Sequence, residues 1–114
     1  FHGQKNKIQI GTNLFDLDFI ADSFKNCFEN KIIHFGSCKT LAIDDQKAKE
    51  FLIKTKAAAI SGYEKTVPFI SSTIADIVYF EICQKYKTMK SINDNMSKHY
   101  ENLVRDLKFK MIFL

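Results

Sequence analysis

Short runs of apolar and small residues recur along the chain and predict buried β-strands. Residues 31–37 (KIIHFGS) and 57–63 (AAAISGY) are continuous runs of this kind between polar or turn-forming positions. Residues 108–113 (KFKMIF) alternate polar and apolar positions in their first half, which is typical of a strand at the edge of a sheet. A shorter strand is predicted over residues 7–10.

Between these runs the apolar positions take the 3.6-residue period of an α-helix. A single apolar stripe covers residues 17–28, and two aspartates lie at its start, where the helix dipole favours negative charge. A second helix is predicted over residues 44–56. A third, over residues 68–82, is apolar nearly all round and is therefore expected at the centre of the fold, and a fourth covers residues 92–107.

The alternation of helices and strands predicts an α/β fold. It calls for a mostly parallel sheet with helices packed on both faces, which is a three-layer sandwich. In such sheets the functional residues lie at the carboxyl ends of the strands. No linker or repeat divides the 114 residues, so residues 1–114 are expected to form a single domain.

Composition and charge exclude several classes of protein. Hydrophobic residues make up 46% and charged residues 26% of the chain, with only 4 Gly and 1 Pro, which is typical of a packed globular sequence. The net charge of +4 comes from interspersed residues, and no basic run predicts binding to nucleic acid. Charged residues interrupt every apolar segment before it reaches the ~20 residues of a membrane helix, so no membrane partner is expected.

Cysteine usage and the first residues indicate a compartment. The three cysteines, Cys27, Cys38 and Cys83, are spaced too irregularly for a disulfide framework or a zinc site. We therefore expect a reducing, cytoplasmic setting and no metal. The chain starts at Phe1 without a basic and apolar leader, so we expect a fragment of a longer protein and not a secreted precursor.

Two candidate catalytic groups lie at predicted strand ends. Cys38 follows the strand that ends at Ser37, in a turn where backbone N–H groups can lower a thiol pKa and bind an oxyanion. His2 can act as the base, and the neighbouring Gly3 amide can serve as a second oxyanion donor. Taken alone, Cys38 is also compatible with a small buried hydrophobe and His2 with a surface histidine.

Taken in order, His2-Gly3, the strand ending in residues 34–40 (HFGSCKT), and residues 58–63 (AAISGY) resemble the catalytic half of caspase-like cysteine peptidases. The bacterial CHAT type is the most similar branch, and the resemblance spans nearly the whole chain. It implies an endopeptidase without cofactor, with Cys38 as nucleophile and His2 as general acid/base. It also implies a peptide or protein substrate and a caspase-like sheet whose first strands lie upstream of Phe1 in the parent chain.

The same resemblance implies that the strand after Cys38 forms one wall of the substrate pocket, which nominates Ser61, Gly62 and Tyr63. Glu64 follows at the carboxyl end of that strand and could attract a basic side chain, although a solvated turn is the simpler interpretation. His34 lies inside the preceding strand and is expected to pack against a helix or to hydrogen-bond locally.

Two other functional classes stay open. One is a catalytically inactive scaffold of the same fold that acts as a regulatory or protein-interaction module. The other is a flavodoxin-like domain that binds a small molecule, which would need an anion site near residues 37–40.

Overall fold

The structure is a computed structural model that describes residues 2–10, 12–37 and 39–114, and of His2 only the backbone. In these residues the elements follow in the order β1 (His2–Gln4), β2 (Lys7–Ile10), β3 (Asn13–Asp16), α1 (Leu17–Ser23), β4 (Ile32–Phe35), α2 (Asp45–Thr55), β5 (Ala59–Tyr63), α3 (Phe69–Lys85), α4 (Met89–His99), α5 (Glu101–Leu107) and β6 (Phe109–Ile112).

The first three strands form a small antiparallel sheet in the order β1-β2-β3. A two-residue turn joins β1 to β2, and its second residue, Asn6, has a φ of 60°, a left-handed conformation that asparagine tolerates. Ile8 in the central strand pairs with Gly3 on one side and with Phe15 on the other. The amide of Leu17 donates to the carbonyl of Asn6 over 3.1 Å, which ties helix α1 to the turn.

The second sheet has the order β4-β5-β6, with β4 parallel and β6 antiparallel to the central strand β5. All five residues of β5 are buried, since helices cover both faces of the sheet. On one face Ile60 shares a core with Phe51 of α2. On the other face Tyr63 shares a core with Tyr79 of α3 and with residues of α4 and α5.

The expected mostly parallel, caspase-like sandwich is wrong. One sheet is entirely antiparallel and the other is mixed, so among the described strand pairs only β4 and β5 are parallel. Three successive helices separate β5 from β6 and return the chain to the carboxyl end of β5, where Phe109 pairs with Tyr63. The last strand therefore runs back along β5, although it lies at a sheet edge as its alternation predicted.

Side chains at the helix starts explain most of the boundaries. The carboxylates of Asp16 and Asp44 accept hydrogen bonds from backbone amides three residues on, at 2.7 and 2.8 Å, and Thr88 caps α4 in the same way at 3.1 Å. The helix expected over residues 92–107 is divided at Tyr100 into α4 and α5.

Helix α3 is not central, contrary to its all-round apolar pattern. Its inner face, which includes Ala75, Tyr79 and Ile82, is buried against the sheet. Its outer face carries five large apolar side chains in contact with water: Phe69, Ile70, Ile74, Ile77 and Phe80. An exposed patch of this kind is unusual on a monomer and marks a surface that can bind a partner.

Candidate functional site

The candidate dyad falls largely outside the described residues. Cys38 lies in one of the gaps, and the side chain of His2 is likewise outside the described part of the chain. The backbone of His2 belongs to β1 and pairs with Gln9, and Gly3 is half-buried opposite Ile8. What can be described is the frame around both residues.

The loop after β4 is held by hydrogen bonds on each side of position 38. The Oγ atoms of Ser37 and Thr40 lie 2.8 Å apart, and Thr40 Oγ1 donates to the backbone carbonyl of Lys7 in β2 over 3.3 Å. The amide of Lys39 donates to the carbonyl of Lys65, just beyond β5, over 3.2 Å. The loop is therefore tied both to the antiparallel sheet and to the carboxyl end of the parallel pair.

A cavity of about 430 Å³ lies between the antiparallel sheet and the carboxyl end of β4, and we call it the β4 cavity. Among the described residues it is lined by Ile8, His34, Phe35, Gly36 and Ser37. It therefore lies beside the segment that leads into position 38, and its opposite wall comes from the strand that pairs with β1.

The candidate pocket residues of β5 are buried beneath this surface. Ser61, Gly62 and Tyr63 are all buried, and a Cβ added to Gly62 would lie 2.8 Å from the carbonyl oxygen of Phe35. Gly62 is thus required for close packing of β5 against β4. Glu64 lies elsewhere, where it lines a second cavity near α2, with its carboxylate 3.8 Å from Nζ of Lys110.

His34 connects the β4 cavity to a buried polar network. Its Nε2 lies 2.7 Å from Oδ1 of Asp76, and its Nδ1 lies 2.9 Å from Oγ of Ser61. Because a carboxylate only accepts hydrogen bonds, Nε2 carries the proton of that bond, and the second ring nitrogen, Nδ1, shares a hydrogen bond with the serine hydroxyl. The expectation that His34 packs against a helix is confirmed, since its ring lies beside Tyr79 and Phe80 of α3. Its hydrogen bonds are not local, because the partners lie 27 and 42 positions away.

Serine, histidine and aspartate in series are the groups of a hydrolytic triad, but the burial of this serine prevents that use. Ser61 is 0% exposed and lies under the imidazole, so no substrate carbonyl can reach its Oγ. The network instead fixes the orientation of His34, which lines the β4 cavity, and of its partner Asp76.

One tyrosine, Tyr63, completes the network, and a second, Tyr79, lies beside it. The hydroxyl of Tyr63 donates to Oδ1 of Asp76, at 2.5 Å, and also lies 3.1 Å from the carbonyl of Ser72. Burial and then the Asp76 carboxylate raise the pKa of Tyr63. Burial likewise raises the pKa of Tyr79, whose hydroxyl lies near Ser61 and Cys83 but makes no hydrogen bond with any described residue.

Sequence reasoning missed Asp76, although a signal was present. It is the one charged residue between Pro68 and Phe80, where the sequence reads FISSTIADIVY. A single carboxylate in such a run either has buried hydrogen-bond partners or belongs to a binding or catalytic site. Its partner His34 lies 42 positions earlier, so spacing alone could not pair them.

The described residues offer no metal-binding cluster and no membrane-spanning helix. No group of three or more His, Cys, Asp and Glu side chains in that part of the chain is placed to hold a metal ion. None of the helices there is long and apolar enough to cross a bilayer.

Comparison with known proteins gives one match. The family model described as a family of unknown function (DUF6642) matches residues 1–113. No curated protein and no solved structure matches the chain.

Proposed function

We propose that this chain, which belongs to the DUF6642 family of unknown function, is part of a cysteine-type endopeptidase. Cys38 is the nucleophile and His2 the general acid/base of this proposal. The observation that carries it is the β4 cavity, which has the residues before position 38 on one wall and the partner strand of β1 on the other. The ordered motifs His2-Gly3 and Ser37-Cys38 support the same assignment.

The hydrogen bond between Thr40 and Lys7 adds a second line of support. It joins the loop that contains position 38 to β2, and β2 is paired with the strand that begins at His2. Because Thr40 is fully buried, this hydrogen bond is partly shielded from water and limits changes in the separation of the two chain segments. A nucleophile and its base need such a fixed separation.

The proposed reaction is acyl transfer without a cofactor. His2 takes the proton of the Cys38 thiol, and the thiolate attacks the carbonyl carbon of the peptide bond. The amides of Gly3 and Cys38 donate to the oxyanion of the tetrahedral intermediate. His2 then protonates the departing amine, which leaves a thioester on Cys38, and water hydrolyses that thioester to release the acid and restore the thiol.

The proposal includes a setting and partners. A thiol nucleophile stays reduced in the cytoplasm, so that is the proposed compartment. The partners are a protein or peptide substrate and the upstream part of the parent chain.

A second candidate function is a regulatory or protein-interaction module without catalysis. The exposed apolar face of α3 favours it, because such a patch is a surface for a protein partner.

Thiol alkylation as a function of pH tests the two candidates in the full-length natural protein. Activation predicts that Cys38 is alkylated selectively below about pH 7, and that His2→Ala abolishes this selectivity. Cys27 and Cys83 in the same sample are internal controls, the first exposed and the second half-buried. Slow labelling of Cys38 that is independent of His2, together with no cleavage of a random peptide library, would reject the peptidase in favour of the module.

A further inference from the structure

The outer face of α3 holds the largest concentration of exposed apolar side chains in the described part of the chain. Of the eleven large apolar residues that are exposed there, five lie on this one helix: Phe69, Ile70, Ile74, Ile77 and Phe80. Their exposed fractions run from 48% to 82%, so each is about half or more in contact with water. A contiguous surface of this kind indicates an interface.

The size of this face matches the apolar centre of a protein interface. At these exposed fractions the five side chains present on the order of 500 Å² to water. A stable interface buries about 800 Å² on each partner and has an apolar centre with a polar rim. Thr73, Glu81 and Gln84 are exposed on the same side of the helix and extend the face towards that area.

The spacing of the exposed positions is that of a helix which packs lengthwise against another helix. Residues 70, 73, 74, 77, 80, 81 and 84 are all exposed and follow each other at intervals of three, one or four positions. Thr73 brings the one polar group into the middle of this stripe, and its hydroxyl already donates to the carbonyl of Phe69 over 2.7 Å. Covering the middle of the stripe therefore leaves no hydroxyl without a partner.

The two ends of this helix are complementary in charge. At its start, the N-cap residue Pro68 offers no side-chain acceptor and the first turn has no acidic residue, whereas α1, α2 and α4 each begin with a side-chain cap. The helix dipole makes this uncapped start partly positive. Towards its other end the face carries Glu81, which is exposed and whose nearest cation is Lys85 at 3.4 Å on the same helix.

We propose that the outer face of α3 binds a second copy of this chain, with the two α3 helices packed antiparallel about a twofold axis. The axis passes beside Thr73 and Ile74, so that Ile70 of each copy faces Ile77 of the other. Each Glu81 then lies near the uncapped start of the other copy's helix. Self-association of this kind requires no catalysis, so it is independent of the proposed peptidase.

The charges around the face distinguish a second copy from a membrane surface. Helices that lie on a bilayer carry lysine or arginine beside their apolar face, where these cations bind anionic lipids. The outer face of α3 is bordered by Asp76 and Glu81, and the one cation of the helix is Lys85 at its last position. An anionic bilayer would repel these carboxylates, whereas the helix start of a second copy attracts Glu81.

Sedimentation of the full-length natural protein at several concentrations tests this inference. We expect a monomer–dimer equilibrium with a Kd on the order of micromolar. Ile77→Glu places a carboxylate against the apolar face of the other copy and should weaken the dimer about 100-fold or more. Ile53→Glu is the matched control, because Ile53 on α2 is similarly exposed (65% against 62% for Ile77), and it should leave the Kd unchanged.

Two further measurements support the same experiment. Thermal unfolding of each variant checks that the fold persists, and Ile70→Glu repeats the test at a second exposed position of the face. Glu81→Gln should weaken the dimer about 3- to 10-fold, since each dimer contains two of these contacts with a helix start. Asp94→Asn, which removes a carboxylate from a similar exposed pair with Lys90 on α4, should have no effect.

Disulfide cross-linking tests the antiparallel arrangement. Cys27, Cys38 and Cys83 are replaced by serine, and one new cysteine is introduced by Thr73→Cys, beside the axis, or by Gln84→Cys, towards the end of the helix. The same position in two antiparallel helices is close only at the axis, and position 84 lies about 16 Å from it along the helix. We therefore expect oxidised dimers from Thr73→Cys and none from Gln84→Cys.

Each result supports or overturns the inference. A protein that stays monomeric up to about 100 µM overturns it, as does a dimer that Ile77→Glu does not weaken. Cross-linking through Gln84→Cys that equals cross-linking through Thr73→Cys overturns the antiparallel arrangement. Binding to phosphatidylserine vesicles that Ile77→Glu abolishes, in a monomeric protein, would assign the face to a membrane instead. A dimer that is lost in Ile77→Glu and kept in Ile53→Glu supports the inference, whatever the outcome of thiol alkylation.

Discussion

The two three-stranded sheets differ in how much of each is covered. Every residue of the central strand β5 is buried, whereas in the central strand β2 only Ile8 is buried. Helices pack on both faces of the second sheet, while Ile8 is the one described strand residue that the first sheet contributes to the core. The second sheet therefore carries most of the stability, and the first is a less stable flap that forms one wall of the β4 cavity.

The largest expected effect comes from shortening the central apolar residue of each sheet. Ile60→Ala leaves a cavity in a fully buried position of β5 and should cost about 4 kcal/mol of unfolding free energy. Ile8→Ala opens a site that borders the β4 cavity and should cost about 2 kcal/mol. Urea unfolding of both variants measures the difference, and equal losses would mean that the two sheets are equally important to the fold.

Two glycines of the second sheet test, with a single methyl group, the effect of being covered, since Gly62 is buried in β5 and Gly36 is exposed just after β4. Gly62→Ala places its Cβ 2.8 Å from the carbonyl oxygen of Phe35 and 3.1 Å from Cγ of Leu41, so the strands must separate. We expect a loss of about 2 to 3 kcal/mol. Gly36→Ala meets only the Asp76 carboxylate, at 3.5 Å, and should cost less than about 1 kcal/mol. A larger loss for Gly36→Ala, measured by urea unfolding, would contradict the close packing assigned to β5.

Two tyrosines in the core on one face of the second sheet should respond in opposite directions to loss of the hydroxyl group. Tyr63→Phe removes the donor to Asp76 and should lower the unfolding free energy by about 1 to 2 kcal/mol. Tyr79→Phe removes a buried hydroxyl that lacks a partner among the described residues and should raise it by about 1 kcal/mol. Thermal unfolding of the two variants at neutral pH measures both signs, and destabilisation by Tyr79→Phe would reveal an unrecognised partner.

The smallest expected effect is a loss of stability at alkaline pH, which is caused by the two tyrosines in the core of the second sheet. The folded protein has raised pKa values at Tyr63 and Tyr79, and tyrosine in an unfolded chain titrates near 10. Below about pH 10 both tyrosines are protonated in the folded and in the unfolded state, so their contribution to the unfolding free energy is fully present. As the pH rises further, the unfolded state loses its protons first, so stability falls.

Urea midpoints at pH 8, 9.5 and 10.5 measure this loss, which should be below about 1 kcal/mol per tyrosine at the highest pH. The control replaces both tyrosines by phenylalanine. Burial also raises the pKa of Cys83, so both the test protein and the control carry Cys83→Ser. The two proteins then differ only in the tyrosines. An identical alkaline loss in the control would show that the tyrosines do not cause it.

Local signals predicted those elements whose boundaries depend on neighbouring residues. The apolar runs at β4 and β5 and the aspartate cap of α2 lie within a few positions of the elements they specify, and each was predicted. Sheet direction is different, because it depends on where the chain returns after α3, α4 and α5. No residue of β6 indicates that this strand runs antiparallel to β5, and the prediction of a mostly parallel sheet was wrong for this reason.

The candidate site was likewise predictable only in part. The strand β4 followed from its apolar run, although it ends at Phe35 and not at Ser37 as expected, which leaves Gly36 and Ser37 in the loop after it. The partnership of His34 with Asp76 did not, since it joins β4 to a helix that begins more than thirty residues later. The exposed face of α3 was also missed, because its all-round apolar pattern is the same for a buried helix and for one that binds a partner.

The order β4-β5-β6 makes the two borders of the second sheet unequal. The β6 border carries Lys110 and is preceded by Lys108, and lysines at such a border discourage the addition of another strand. The β4 border is apolar, with Ile32, Ile33 and Phe35, and has no partner strand beyond β5 within the described residues. Any self-assembly by strand addition would therefore start at β4, and two chains joined through their β4 borders would present only the lysine-bearing β6 borders to further chains.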